Sequence, residues 1–413
     1  MNITILGETR MGYPQKTRTL QLFLIFIVIT SFSLTIRTIY SFARRRYGIT
    51  LGPTCTPKKH VVFLKTHKTA SSTVLNILYR YGESRNLTFA LPMHDHLGYP
   101  QRFRAEFVRD FATNRDKEHH IICNHMRFNL PEVRRVMPNG SFYFSIVRNP
   151  VRLAESSFAY YHSVSPAFKR AASLDEFVSH ADSYYRSQEL NSHYTRNLMW
   201  FDFGYDSNAM AVPGFNVSTA LGELERTFDL ILVAEHFDES MVLLREALCW
   251  ELEDVVYFKL NARSGASVSS LNATAADRVR AWNRLDWELY RHFNASFWQR
   301  VATYGHQRMQ QDLGRLRELR RRLTATCLQG GAPVEGERVT NKALRPYNSG
   351  DAKILGYILR ANLSRNVREL CQRMVLPERY HLHHLQKKQS PLPPVTPRAG
   401  GQRWKIPLEA RRS

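Results

Sequence analysis

Lys65-Thr66-His67-Lys68-Thr69-Ala70-Ser71-Ser72-Thr73 is the stretch whose reading decides the fold. It follows an apolar run of strand length, residues 60–65 (HVVFLK), and opens residues 71–81, where Val74, Leu75, Leu78 and Tyr79 recur at helical spacing. Strand, loop, helix is the resulting order. At such a junction the backbone N–H groups of the loop and first helical turn converge, and the helix dipole favours an anion there. Lys68 adds a full positive charge, and the hydroxyls of Thr69, Ser71, Ser72 and Thr73 add donors, of which helix capping alone explains one or two. The segment contains no glycine, so it is not the G-x-x-x-x-G-K-[ST] loop of ATP- or GTP-driven phosphoryl transferases. A different phosphate-bearing nucleotide is implied.

The same alternation continues outward. Residues 119–125 (HHIICNH) read as a buried strand before the helix-like PEVRRVM, and residues 141–148 (SFYFSIVR) precede PVRLAESSFAYY. Residues 230–234 (LILVA) form another apolar run before a helix at 239–250, and residues 255–260 (VVYFKL) are a further strand candidate. Units of this kind predict an α/β body with a central parallel sheet flanked by helices on both faces. Residues 173–203 look helical and aromatic-rich, and residues 274–326 look like two long helices with Trp282, Leu285, Leu289 and Phe293 along one side. That spacing makes these aromatics core residues rather than a ligand platform.

With 58 Lys and Arg against 36 Asp and Glu, the 413-residue chain carries a formal charge of +22, which points to an anionic partner without choosing one. Part of the excess sits in a basic, proline-rich tail at 387–413, and part in Arg315, Arg317, Arg320, Arg321 and Arg322, which read as a solvated helix face. Residues 19–36 hold no charge and would make about 27 Å of helix, enough to span a bilayer. A cleaved signal peptide is the rival reading, but no small-residue cleavage site follows, which favours an uncleaved transmembrane signal-anchor. Flanking basic residues lie on both sides of the span and leave orientation open. Asn86, Asn139, Asn216, Asn272, Asn294 and Asn362 each begin an N-x-Ser/Thr triplet, and six downstream sequons favour a luminal body. The expected layout is a cytoplasmic tail at 1–18, the anchor at 19–36, a stem at 37–59, a luminal domain at 60–386 and the tail. Of the five cysteines, one or two disulfides would leave an odd thiol; Cys327 with Cys371 is the pairing expected.

A second element opens where the SFYFSIV run ends: Arg148-Asn-Pro-Val-Arg-Leu-Ala-Glu-Ser156. Both end residues suit a phosphate, although alone Arg148 is equally well a surface ion-pair residue. Together, K-T-x-K-T-[AG]-[ST]-[ST] after the first strand and R-(x7)-S after a later one resemble the two nucleotide elements of sulfotransferases, in the same order. FLKTHKTASSTVLNILYR, IICNHMRFNLPEVRRVMPN, FYFSIVRNPV, MWFDFGYD, ESMVLLRE and LRPYNSGDAKILGY are similar to the galactose 3-O-sulfotransferase family, with coverage from about residue 60 to 377.

The resemblance implies a P-loop-like sulfotransferase fold, 3′-phosphoadenosine 5′-phosphosulfate (PAPS) as co-substrate, a Golgi membrane setting and β-galactose-terminated type 1 and type 2 glycans as acceptors. It implies that Lys65, Lys68, Thr69, Ala70, Ser71, Ser72 and Thr73 grip the 5′-phosphosulfate end, and that Arg148 and Ser156 grip the 3′-phosphate. Lys68 also serves the leaving group. An acceptor hydroxyl must lose a proton as it attacks sulfur, and His125, just beyond the 119–124 strand, resembles the family's strand-end base. His67, inside the loop, is its competitor. Acceptor-binding residues are expected around 173–206 and 261–263. The remaining histidines, including His119, His120, His381, His383 and His384, show no metal-ligand spacing, so no catalytic metal is expected. A catalytically silent glycan- or nucleotide-binding protein of the same fold is the alternative; nucleic-acid binding lacks a reading motif and conflicts with a luminal body.

Overall fold

The computed structural model describes residues 55–390 apart from 115–116, 269 and 348–351. The expected cytoplasmic tail, the anchor and the tail beyond 390 lie outside the described residues, among which no helix is long and apolar enough to cross a membrane. The folded unit begins at Pro57.

Its centre is a parallel sheet of four strands: β1 (Val61–Leu64), β2 (Ile121–Ile122), β3 (Phe142–Val147) and β4 (Leu230–Val233), in the order β2-β1-β3-β4. Every residue of β1 is fully buried, as a strand covered on both faces must be, and this is why the sequence shows unbroken apolar runs rather than alternation. Val61 pairs with Ile121 on one side and with Phe142 on the other, so the chain passes from β1 out to β2 and back past β1 to β3. Strand order therefore reverses between β1 and β3, and in open α/β sheets the crevice at the carboxyl ends of such a pair is where ligands bind.

The helices named below are α1 (Ser71–Ser84), α2 (Leu130–Val136), α3 (Pro150–Tyr161), α4 (Leu198–Asp202), α5 (Phe237–Leu248), α6 (Ala273–Trp282), α7 (Arg284–Tyr304), α8 (His306–Cys327), α9 (Arg365–Val375) and α10 (Glu378–Gln389). The region read as two long helices is three, because Asn283 (ψ 45°) and Gly305 (φ 94°, ψ 127°) leave the helical region. The 173–203 region is a series of short helical pieces rather than a continuous helix. α10 runs to Gln389, past the tail boundary read at 387.

Residues 255–260 correct the sequence reading. They form no ladder; Val255 ends a short helix, Leu252–Val255, and the extended segment after it is held by side chains. Arg80 donates to the Val256 carbonyl (2.5 Å), the Leu260 N–H donates to the Thr73 hydroxyl (3.0 Å), and Tyr357 donates to the Lys259 carbonyl (2.9 Å). Apolar periodicity cannot distinguish a strand from an extended segment laid against a helix, because both bury the same residues.

Cys327 and Cys371 form the expected disulfide, joining the end of α8 to α9, and Cys123 is a buried free thiol. The arginine cluster on α8 is paired: Arg317 and Arg320 with Asp238, Arg315 with Asp312, Arg321 and Arg322 with Glu318. Asn86, Asn139, Asn216, Asn272 and Asn362 are exposed, whereas Asn294 is half-buried on α7 with its Oδ1 enclosed and unpartnered.

Immediately after α4, Gly204 turns at φ 98°, and a Cβ there would lie 2.3 Å from the Phe128 carbonyl oxygen. Gly204→Ala should therefore cost roughly 2–4 kcal/mol, the sum of left-handed strain and a backbone clash. Gly140 also has positive φ (79°) but nothing within 4 Å, so Gly140→Ala should cost only about 1–2 kcal/mol. Thermal melts of the two variants compare the costs directly; equal shifts would mean that the Phe128 contact relaxes without penalty.

Candidate active site

The chain leaves β1 at Lys65 and enters α1 through two left-handed residues, Lys68 (φ 60°) and Ala70 (φ 64°). Left-handed backbone costs a non-glycine residue about 1–2 kcal/mol, so the turn must be held from outside. The Thr66 hydroxyl donates to the Ile146 carbonyl of β3 (2.6 Å), which leaves its oxygen to accept from the Thr69 hydroxyl (2.7 Å). The Ser71 hydroxyl donates back to the Thr66 carbonyl (2.5 Å). Thr73 accepts from Leu260, and Ser72 donates to Glu378 (3.4 Å). The hydroxyls expected to meet a ligand thus brace the loop. What the loop leaves open is backbone: among the described residues, the N–H groups of Lys68, Thr69, Ala70, Ser71 and Ser72 have no acceptor.

Asp202, at the end of α4, closes the loop from the other side. Its carboxylate is fully buried and accepts from the His67 backbone N–H (2.7 Å) and from the His67 ring at Nδ1 (2.9 Å). A carboxylate can only accept here, so His67 bears a proton on Nδ1, and its Nε2 has no partner among the described residues. The His67 ring stacks on His125 at 3.8 Å and 10°, and lies against Tyr99 at 4.5 Å.

Asp202 is placed by reciprocal capping between α4 and α7. Asp286 accepts from the N–H groups of Trp200 (2.8 Å) and Met199 (3.2 Å), while Asn197 accepts from those of Leu285 (3.1 Å) and Asp286 (3.3 Å). Burial raises the Asp286 carboxyl to about 7, against the pull of those N–H groups, and the Asp202 charge adds to the rise. Neither aspartate is singled out by motif. The available signal was an acid inside the otherwise apolar stretch MWFDF, where an unpaired charge is untenable.

His125 is held at both ring nitrogens by one residue. Nδ1 donates to the Lys65 carbonyl (2.9 Å), so Nε2 carries the lone pair and accepts from the Lys65 ammonium at 2.6 Å. Burial, then His67 and Lys65, push His125 well below the ordinary histidine range. Lys65 is itself buried and also pairs with Glu378 of α10 at 3.1 Å.

Arg148, directly after β3, donates to the Lys68 carbonyl (2.8 Å) and so joins the second sequence element to the first. Ser156 is buried on α3 and makes no hydrogen bond to the loop among the described residues. Glu155 beside it forms a buried ion pair with Arg263, which brings the 261–263 turn to the same end of the sheet. Lys68 lies over the Tyr160 ring at 3.5 Å. Desolvation first, then the charges of Arg263, Arg148 and Lys65, lower its ammonium to about 7. One His–Glu–His group with metal-ligand spacing, His60, Glu118 and His120, lies at the opposite, amino-terminal end of β1 and β2.

A parallel sheet flanked by helices, whose switch-point crevice holds a strand–loop–helix junction and a second strand-end arginine, has the form of an α/β enzyme built to receive an anionic ligand. The comparisons narrow that class: the chain matches the Galactose-3-O-sulfotransferase family over residues 5–389 and belongs to it. It is 50% identical over 343 residues to galactose-3-O-sulfotransferase 2 of Sus scrofa, covering 82% of this chain and 86% of that one. It is 44% identical over 336 residues to the galactosylceramide sulfotransferase of Homo sapiens, covering 80% and 79%, and 40% identical over 411 residues to human galactose-3-O-sulfotransferase 4, covering 82% and 85%.

The lowered Lys68 ammonium sets a pH dependence. Below pH 7 it is charged before any anion arrives; above pH 7 it is neutral, and an anion must bind together with a proton. Affinity for 3′-phosphoadenosine 5′-phosphate should therefore be greatest below pH 7 and fall by up to about tenfold per pH unit above it. Lys68→Arg, charged throughout, should flatten the profile. Calorimetric titration from pH 6 to 9 checks this: a flat wild-type profile would mean that the Lys68 ammonium is not lowered, and unchanged affinity in Lys68→Ala would remove Lys68 from the anion site.

Proposed function

We propose that this protein transfers the sulfuryl group of PAPS to the 3-hydroxyl of terminal β-galactose on type 1 and type 2 glycan chains. The observation that carries the reading is the set of five loop N–H groups that have no acceptor among the described residues, at the amino end of α1 and beside Lys68. They suit the 5′-phosphosulfate end, and Arg148 suits the 3′-phosphate. The choice of galactose in glycans draws support from the 50% identity to a galactose-3-O-sulfotransferase 2, against 44% to a galactosylceramide sulfotransferase.

In the transfer, the acceptor oxygen forms a bond to sulfur as the bond from sulfur to the 5′-phosphate oxygen breaks, and the hydroxyl proton goes to a base. Geometry favours His67 over His125 for that role. In its neutral form His67 offers an Nε2 lone pair without a partner among the described residues, and Asp202 stabilises the imidazolium that forms, whereas the His125 lone pair already accepts from Lys65. Lys68 and the loop N–H groups stabilise the charge that grows on the departing phosphate.

The body is luminal in this reading, in a Golgi membrane, with residues 19–36 as the anchor; five exposed sequon asparagines support it. Expression with microsomes should give a product that loses mass on endoglycosidase treatment and resists external protease. A glycan-free, fully digested product would reverse the topology.

Labelled sulfate should pass from PAPS to Galβ1-3GlcNAc and Galβ1-4GlcNAc at the galactose 3-position. No transfer by a folded protein that binds the nucleotide would make it a silent binding protein. His67→Ala should lose about 10²–10⁴-fold in turnover while keeping nucleotide affinity, with His125→Ala losing less. Near-normal turnover in His67→Ala with the large loss in His125→Ala would reverse the two roles.

A further inference from the structure

α10 begins at Glu378, more than three hundred residues after the loop, yet its first side chain reaches into the cradle. The Glu378 carboxylate pairs with the Lys65 ammonium at 3.1 Å and accepts from the Ser72 hydroxyl at 3.4 Å. Lys65 and Ser72 are two of the groups read as gripping the donor's phosphosulfate end. A carboxylate on both is a built-in anion at the edge of an anion site.

The seat of α10 is specific. Just ahead of it, Asn76 of α1 donates to the Arg373 carbonyl at the end of α9 (2.8 Å), and within α10 Gln386 donates to the Pro92 carbonyl (2.9 Å). His381 and His384, one turn apart on α10, both meet the Glu83 carboxylate of α1, at 3.2 and 2.9 Å. Glu378 therefore arrives by a fixed route and not as a loose surface side chain.

We propose that Glu378 is a positioning residue that competes with the donor for Lys65: it holds the ammonium on His125 Nε2 before the nucleotide arrives and gives up that ion pair to the donor's phosphosulfate on binding. The inference rests on the donor reading above. Lys65 is almost fully enclosed, so without an anion its charge would be buried with only a neutral imidazole to face. Glu378 supplies that anion. The same charge repels the phosphosulfate of the donor and the phosphate of the product, so it weakens nucleotide affinity and helps the product leave.

The sign of the effect separates this role from a structural one, because loss of a structural contact weakens a site and does not tighten it. Glu378→Gln keeps the shape and removes the charge. It should bind 3′-phosphoadenosine 5′-phosphate roughly tenfold more tightly than wild type at low salt, with the gain shrinking as salt screens the repulsion. The PAPS KM should fall with it while the acceptor KM stays, and Glu378→Asp, which keeps the charge, should stay within about twofold of wild type. Affinity that is equal or weaker in Glu378→Gln overturns the proposal. Failure of the wild-type protein to bind the nucleotide overturns the donor reading instead.

Discussion

The buried carboxylate of Asp202 is the constraint on which the site depends. It lies in an apolar helix end with no water-facing side, and a charge in that position survives only if its oxygens are fully engaged. Two of the groups that engage it belong to one residue of the loop, the backbone N–H and ring N–H of His67. One carboxylate therefore fixes the loop's path, the imidazole's tautomer and the nitrogen left for chemistry. The left-handed turns at Lys68 and Ala70 follow from this anchoring together with the Thr66 bond to β3. A loop without glycine needs such support where a glycine-rich one does not.

Around that anchor the site is assembled from distant parts of the chain: α7 caps the helix that carries Asp202, β3 delivers Arg148, the 261–263 turn delivers Arg263, and α10 delivers Glu378. Burial first, and then repulsion among the gathered cations, lowers the Lys68 ammonium. An anionic ligand relieves that repulsion. The folded protein thus gathers positive charge at a cost in stability that a bound anion would offset.

Much of this was legible in the sequence because it rests on local rules. The parallel sheet follows from the unbroken apolar runs ending in KTHKTASST and RNPV, and the loop's position between strand and helix marks it as the candidate anion site. The family motifs carried Arg148 to the same site, where the structure joins it to the Lys68 carbonyl. Residues 255–260 were misread because burial against α1 produces the same pattern as burial in a sheet. The roles of Thr69 and Ser71 were hidden, since a hydroxyl that braces a loop and one that meets a ligand have the same sequence. Asp202, Asp286 and Glu378 were invisible as site residues because their partners lie 86 to 313 positions away, beyond the reach of any spacing rule.

The most direct test is a crystal structure of the folded domain with 3′-phosphoadenosine 5′-phosphate bound. The 5′-phosphate should lie within hydrogen-bonding distance of the Lys68 to Ser72 backbone N–H groups and of Lys68 Nζ, with the 3′-phosphate on Arg148 and the His67 to Asp202 bonds intact. A nucleotide lying away from the β1–β3 crevice, or one that reaches the loop only after Asp202 has released His67, would contradict it.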